Sequence, residues 1–425
     1  MRSSTLAFFV FAMLGCSNAL FDREDARGTS GSEASLNAST TSYRAEKGRL
    51  RRRMDFERRR SVEQPASAVV LSRVAGLELE WARLTGEYDA YDRAEVAVTR
   101  AFAIAEGQSG PYLTRAQLRF ALHDLDGALS DLAHAKSSTL GGSRASSLAL
   151  RGSIHCHAGR YAEARKDLES AVDLDATPRT LSALALLEWK SGRFEAAEVL
   201  YRRAASSYHG REAQPRAWSH LVLGLLDLDR GRLDEALVHY QEADAEMKGW
   251  WLVQEHIAEV RTQRGELETA EALYRGVVEE TQSPELMAAY ADVLELRRRT
   301  SDAESWRARA QAEFDRRLAL WPSATSGHAL DFLLEHSTPS RALELAQANH
   351  RLRPGGDASV GLARAYLFSD DVRLAREVID SVRDTPYRSA ELFAVAADIY
   401  QADGDSEAAA EARSRALKID PTVAE

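Results

Sequence analysis

The chain has 425 residues and a mass of 47.0 kDa, of which 44% are hydrophobic and 28% charged, a soluble globular balance rather than a disordered one. A net charge of −10 argues against nucleic acid as the main partner, because phosphate binding needs a basic face. Only two cysteines are present, Cys16 and Cys156, so no disulfide framework supports the fold.

The N-terminus has the layout of an export signal. Arg2 precedes a short apolar run from Leu6 to Leu14, and Gly15-Cys16 follows. The run is too short to span a bilayer permanently. Met13-Leu14-Gly15-Cys16 resembles the bacterial lipobox, with Met13 in place of the usual Leu. That resemblance implies lipidation of Cys16 and a signal peptide over residues 1–16, with Ser17 matching outer-membrane sorting. Ser17-Asn18-Ala19 leaves open ordinary cleavage after Ala19, which would give a secreted or periplasmic soluble protein.

Residues 17–62 read as a flexible linker ending in a basic neck. Up to Ser42 the segment is rich in Ser, Thr, Gly, Ala and Asn and too poor in apolar surface to offset its ordering entropy. Between Tyr43 and Arg60 there are nine basic and three acidic residues, whereas residues 61–425 carry a net −15. The neck is either a solvated helix or linker, or a surface that lies on anionic lipid. Asn37-Ala38-Ser39 forms a short glycosylation sequon with little weight of its own.

From residue 63 onward one pattern recurs. Gly159-Arg160-Tyr161-Ala162-Glu163-Ala164 is followed by Gly192-Arg193-Phe194-Glu195-Ala196-Ala197, by Gly231-Arg232-Leu233-Asp234-Glu235-Ala236 and by Gly265-Glu266-Leu267-Glu268-Thr269-Ala270. The final alanine extends to a ladder: Ala94, Ala128, Ala164, Ala197, Ala236, Ala270, Ala303, Ala342, Ala375 and Ala409, spaced by 33 to 39 residues. Such a period means stacked helical hairpins. Small residues let paired helices approach, and glycine ends each first helix where a positive φ costs it nothing. The two spacings of 39 predict insertions near Tyr208–Ala213 and Leu318–Ser323. Arg298, Ser337 and Asp370 replace the glycine in repeats seven to nine, and Arg307 stands where an aromatic is usual, which suggests a hinge over Arg297–Trp321. Leu417 and Ile419 on the last helix would form a patch that is either exposed or covered by a partner.

The pattern resembles the tetratricopeptide repeat family over about 85% of the chain. The resemblance implies an all-α, right-handed α-solenoid of about ten helix-turn-helix repeats over residues 63–425. It also implies a concave groove lined by the first helices. Repeats two to five would contribute Leu113, Phe120, Cys156, Leu186, Trp189, Trp218, Leu221, Leu225 and Leu228 to that groove. Repeats six to eight would contribute Glu255, Glu259, Glu285, Asp292, Glu295 and Asp331. An apolar stretch beside an acidic one suits a protein or peptide with an apolar anchor and a basic end. The same residues also suit a packed wall and a solvated acidic face. No repeat carries the Lys and Asn of the carboxylate clamp, so chaperone C-termini are not expected partners.

Catalysis has no evident foothold. His155-Cys156-His157 falls on a helix, where neighbours splay by about 100° and do not converge on one ion. Gln254-Glu255-His256 lacks the second histidine of a zinc protease motif. Gly141-Gly142 and Gly355-Gly356 read as turns between repeats. The sequence therefore points to a non-enzymatic scaffold without cofactor, held at the outer membrane and facing the periplasm by its N-terminal lipid. Its role would be to assist assembly or trafficking of a protein complex. The alternatives are a soluble secreted or cytoplasmic adaptor and, last, an envelope enzyme.

Overall fold

The computed structural model describes residues 41–105, 109–135 and 144–424. The signal segment with Cys16, the sequon at Asn37 and the Gly141-Gly142 turn lie outside the described residues. The chain is helical almost throughout. After α1 (Tyr43–Glu63) come ten hairpins. Hairpins 1 to 3 are α2 (Ala68–Thr85) with α3 (Asp89–Ile104), α4 (Tyr112–Ala121) with α5 (Leu125–Ala135), and α6 (Arg144–His157) with α7 (Tyr161–Leu174). Hairpins 4 to 6 are α8 (Pro178–Lys190) with α9 (Phe194–Ser207), α10 (Ala213–Leu228) with α11 (Leu233–Glu246), and α12 (Trp251–Gln263) with α13 (Leu267–Thr281). Hairpins 7 and 8 are α14 (Pro284–Leu296) with α15 (Thr300–Leu320), and α16 (Pro322–His336) with α17 (Pro339–Leu352). Hairpins 9 and 10 are α18 (Gly356–Phe368) with α19 (Val372–Arg383), and α20 (Ala390–Ala402) with α21 (Ser406–Ile419).

The alanine ladder explains the stacking. All ten alanines are 0–1% exposed. Each sits where a larger side chain would hold two helices apart. Seven residues before the turn the same logic applies: a Cβ on Gly224 would lie 2.4 Å from the Tyr240 ring. Nine of the ten turns place one residue in the left-handed region, including His123, Arg298 and Asp370. Ser337 is the exception, with an extended φ of −133°. Two of the three degenerate repeats, those of Arg298 and Asp370, therefore keep the backbone of the turn although they have lost its glycine.

The ten hairpins do not form an open spiral. The turns of the first five meet the loops of the last five. Trp251 Nε1 donates to the Leu84 carbonyl at 2.9 Å, and Trp321 Nε1 donates to Asp92 at 2.8 Å. His123 Nδ1 lies 3.0 Å from the Ser323 carbonyl. The Arg388 amide donates to the Lys190 carbonyl at 2.9 Å, beside a parallel bridge between Ser191 and Arg388. Asp420 and Thr422 close on Gly231. One apolar cluster joins Tyr161, Leu184 and Leu187 to Val360, Tyr387 and Leu392, so the core itself crosses this seam. The first helix of hairpin 4 is accordingly buried on all sides. All thirteen residues of α8 are buried, against four in its partner α9.

Three expectations change. Of the linker with basic neck expected over 17–62, the neck is a helix of 21 residues, Tyr43–Glu63. Its Tyr43, Leu50 and Met54 are buried. Thr41–Ser42 (β1) pairs in parallel with Met247–Lys248 (β2), and Lys47 forms an ion pair with Glu280. The hinge expected over Arg297–Trp321 is the continuous helix α15, 21 residues long. That length absorbs the extra residues, and Pro322 starts α16 at a position where its missing N–H costs nothing. Ile419 packs on the main core instead of forming a bare end.

Candidate functional site

The first helices that were expected to line a groove do line the interior, but winding has closed it over several of them. Trp189 is 2% exposed; its Nε1 donates to Asp229 at 2.7 Å and its ring meets Tyr201 edge-on. Trp218 is 2% exposed and lies against Trp250 at 6.4 Å between ring centroids. Phe120 is buried with Ile154 and meets His157 edge-on. Leu186, Leu221 and Leu225 are buried in the main core, while Leu228 and Leu113 are partly buried. As a docking surface for a partner, the set Phe120, Trp189, Trp218 and Leu225 is therefore corrected to core. These side chains face other parts of the same chain.

The acidic stretch is likewise drawn inward. Glu255 is 0% exposed. Burial first, and then Glu259 and Glu285, push its carboxyl well above the usual range. Glu259 lies 3.1 Å from His256 Nδ1. Asp292 and Glu295 receive Arg307 at 3.4 and 3.1 Å. The arginine in an aromatic's place is thus the counter-ion of two wall carboxylates. Asp331 is held by Arg364, and Glu285 accepts from Ser283 Oγ at 2.5 Å. Within this stretch Glu259, Asp292 and Glu295 keep partial exposure.

A cavity of ≈ 30 Å³, on the scale of one or two waters, lies at the seam. Cys156, Tyr161, Lys190, His328, Arg353 and Asp357 are among its lining. Lys190 Nζ and Tyr387 Oη both donate to Asp357 Oδ1, at 2.5 and 2.8 Å. Against the cost of burial, Lys190 and Tyr387 hold that carboxyl below its ordinary value. Arg353 donates to Asn349 Oδ1 at 2.9 Å and lies 3.2 Å from His123 Nε2. Burial lowers Arg353 to about 10 and pushes the Cys156 thiol up to about 12, which makes Cys156 a poor nucleophile. Its neighbours diverge: His155 Nδ1 accepts from Arg160 at 2.8 Å, whereas His157 turns to Phe120. The adjacent trio does not converge on one point.

Sequence reasoning missed the polar groups of the seam. Lys190, Arg353, Asp357 and Tyr387 occupy helix ends and loops outside the repeat pattern, and the paired Lys190 and Asp357 are 167 residues apart. Arg388, inside such a loop, gave no signal either.

No family model and no curated protein matches the chain. Among solved structures, a tetratricopeptide repeat protein from Parabacteroides merdae ATCC 43184 is 18% identical, with a TM-score of 0.35, over 57% of this chain and 93% of that one. The human IFIT1 dimer with m7Gppp-AAAA is 15% identical, with a TM-score of 0.40, over 86% and 94%. The same dimer with PPP-AAAA gives 15% and 0.39 over the same shares. At that level of superposition the IFIT1 ligands do not transfer to this chain. The assignment of fold rests on ten hairpins, a period of 33 to 39 residues and a buried alanine in each. The fold is a tetratricopeptide-type solenoid. Among the described residues no helix is long and apolar enough to cross a membrane.

Proposed function

We propose that this tetratricopeptide-type chain is an envelope-anchored adaptor that binds protein partners and catalyses no reaction. The observation that carries the reading is the use of some 350 residues to build one shape (ten hairpins in series, with an apolar cluster that crosses the seam), with the adjacent His155, Cys156 and His157 held apart. Proteins of this build work by presenting surface. Export and anchoring are supported by the sequence: Arg2, the Leu6–Leu14 run and the Met13–Cys16 match to a lipobox. The net charge of −10 keeps nucleic acid out of the proposal as main partner.

Closure of the inner wall relocates the partner surface. It falls on the rim of the interior, where Leu228, Glu259, Asp292 and Glu295 retain exposure, and on the outer helices. A photo-crosslinking residue introduced at Glu259 or Asp292 in cells should yield a discrete protein adduct, whereas one at buried Trp189 should yield none. Equal labelling at all three positions would overturn the rim assignment. Palmitate labelling that vanishes in Cys16→Ala is the matching test of the anchor, and unlabelled protein that still fractionates with membranes would overturn it.

A further inference from the structure

Hairpin 5 carries a cluster that neither the core nor the seam uses. His220 projects from α10, and His239 and Glu242 project from α11 three residues apart, on one face of that helix. His220 Nδ1 lies 2.9 Å from Glu242 Oε2, and His239 Nδ1 lies 3.0 Å from the same oxygen. The three possible ligand atoms all fall within 4.8 Å of one another. Both histidines are half-buried and Glu242 is exposed, so the cluster opens to solvent on one side.

Other hairpins bridge their two helices with arginines. Arg115 and Arg119 meet Asp131 at 2.6 and 2.8 Å, and Arg151 meets Asp167 at 2.5 Å. An arginine fork matches a carboxylate and leaves nothing over. Hairpin 5 has such a bridge too, Arg216 to Glu246 at 2.6 Å, but beside it two imidazoles aim at one carboxylate oxygen, and the ion-pair contacts of Glu242 among the described residues are with these two rings. Two neutral nitrogen donors and one carboxylate form the ligand set of zinc sites that keep a fourth position for water. The outer shell fits as well. Asp227 Oδ2 lies 3.7 Å from His239 Nε2, on the ring nitrogen that a metal would leave free. A carboxylate at that place orients the ring and raises its basicity as a ligand. The scaffold is stiff one turn away, where the Gly224–Tyr240 contact sets the separation of α10 and α11.

We propose that His220, His239 and Glu242 form a site for a borderline divalent cation of the zinc class, bound through both Nδ1 atoms and a carboxylate oxygen, with Asp227 as the outer-shell support. The fourth position faces solvent and is available to water or to a donor from a partner. Hard cations such as Mg²⁺ and Ca²⁺ are excluded by the two imidazoles and the single carboxylate.

The test is titration of the full chain with Zn²⁺ in a chelator-free buffer by calorimetry, with Co²⁺ absorption as the probe of geometry. The expected result is one Zn²⁺ per chain, tetrahedral Co²⁺ bands and no competition by Mg²⁺. His220→Ala and His239→Ala should each weaken binding at least about 100-fold, and Asp227→Asn by about 10-fold or more. Glu242→Gln is the isosteric variant that leaves packing intact, and it too should abolish stoichiometric binding. Circular dichroism should be unchanged in all four. No stoichiometric Zn²⁺ uptake, or uptake that survives in the histidine variants and in Glu242→Gln, would overturn the proposal.

Discussion

Gly159 and Gly265 stand at the same point of the same motif, with φ of 72° and 74°, yet they have opposite surroundings. A Cβ on Gly159 would lie 2.8 Å from the Pro354 carbonyl, while a Cβ on Gly265 would meet nothing within 4 Å. The first belongs to the early hairpins, whose turns are roofed by later loops. The second belongs to the later hairpins, whose turns stand open. What differs is the second coil of the superhelix lying on the first. The repeat pattern therefore specifies a hairpin and its neighbour, whereas the seam specifies the closed molecule.

The sharpest way to break that comparison is to remove the ion pair under the roof. Asp357→Asn leaves the ammonium of buried Lys190 without a counter-charge, and Lys190 and Tyr387 then share an uncharged amide oxygen. A loss of about 3–5 kcal/mol is expected, read from urea midpoints; a loss below ~1 kcal/mol would place the pair outside the core. Acid should act on the same seam. Burial lowers His328 to about 4, so it is neutral in the fold and takes up a proton on unfolding. A depressed histidine contributes its stability above the unfolded value of about 6.5, and the contribution falls away as pH drops toward 4. About 3 kcal/mol is at stake for this residue. The difference in urea stability between pH 7.5 and 4.5 should shrink in His328→Gln; an unchanged difference would contradict the assignment.

The glycine pair itself gives a smaller, more specific contrast. Gly159→Ala should cost about 2–3 kcal/mol, from backbone strain and the clash together, and Gly265→Ala about 1 kcal/mol, from strain alone. Equal costs in thermal melts would mean that no roof covers hairpin 3. The smallest effect has the opposite sign. Arg298 is exposed and holds a φ of 60° in an open turn, so Arg298→Gly should stabilise by about 1 kcal/mol.

Much of the hairpin level was legible in the sequence. The ten alanines marked the register because close helix packing tolerates nothing larger there, and every one of them is buried. The inner wall was legible as a list of residues but not as a surface. Trp189 and Trp218 fall where the repeat register places them, but their exposure depends on how small rotations accumulate over ten hairpins, which no local spacing encodes. The docking of α1 was hidden for a related reason. Its charge count reads as solvated, yet Tyr43, Leu50 and Met54 share one helical face, and that stripe was outweighed by nine basic residues. The seam residues were invisible because Lys190, Asp357 and Arg388 meet only through tertiary structure.

The radius of gyration in solution tests the closed superhelix most directly. By small-angle scattering, a chain spanning residues 41–425 should give a value near the roughly 21 Å of a compact protein of its length. A value above about 30 Å, as for hairpins strung out in an open coil at ~10 Å per helix, would contradict closure and return Phe120, Trp189 and Trp218 to an accessible groove.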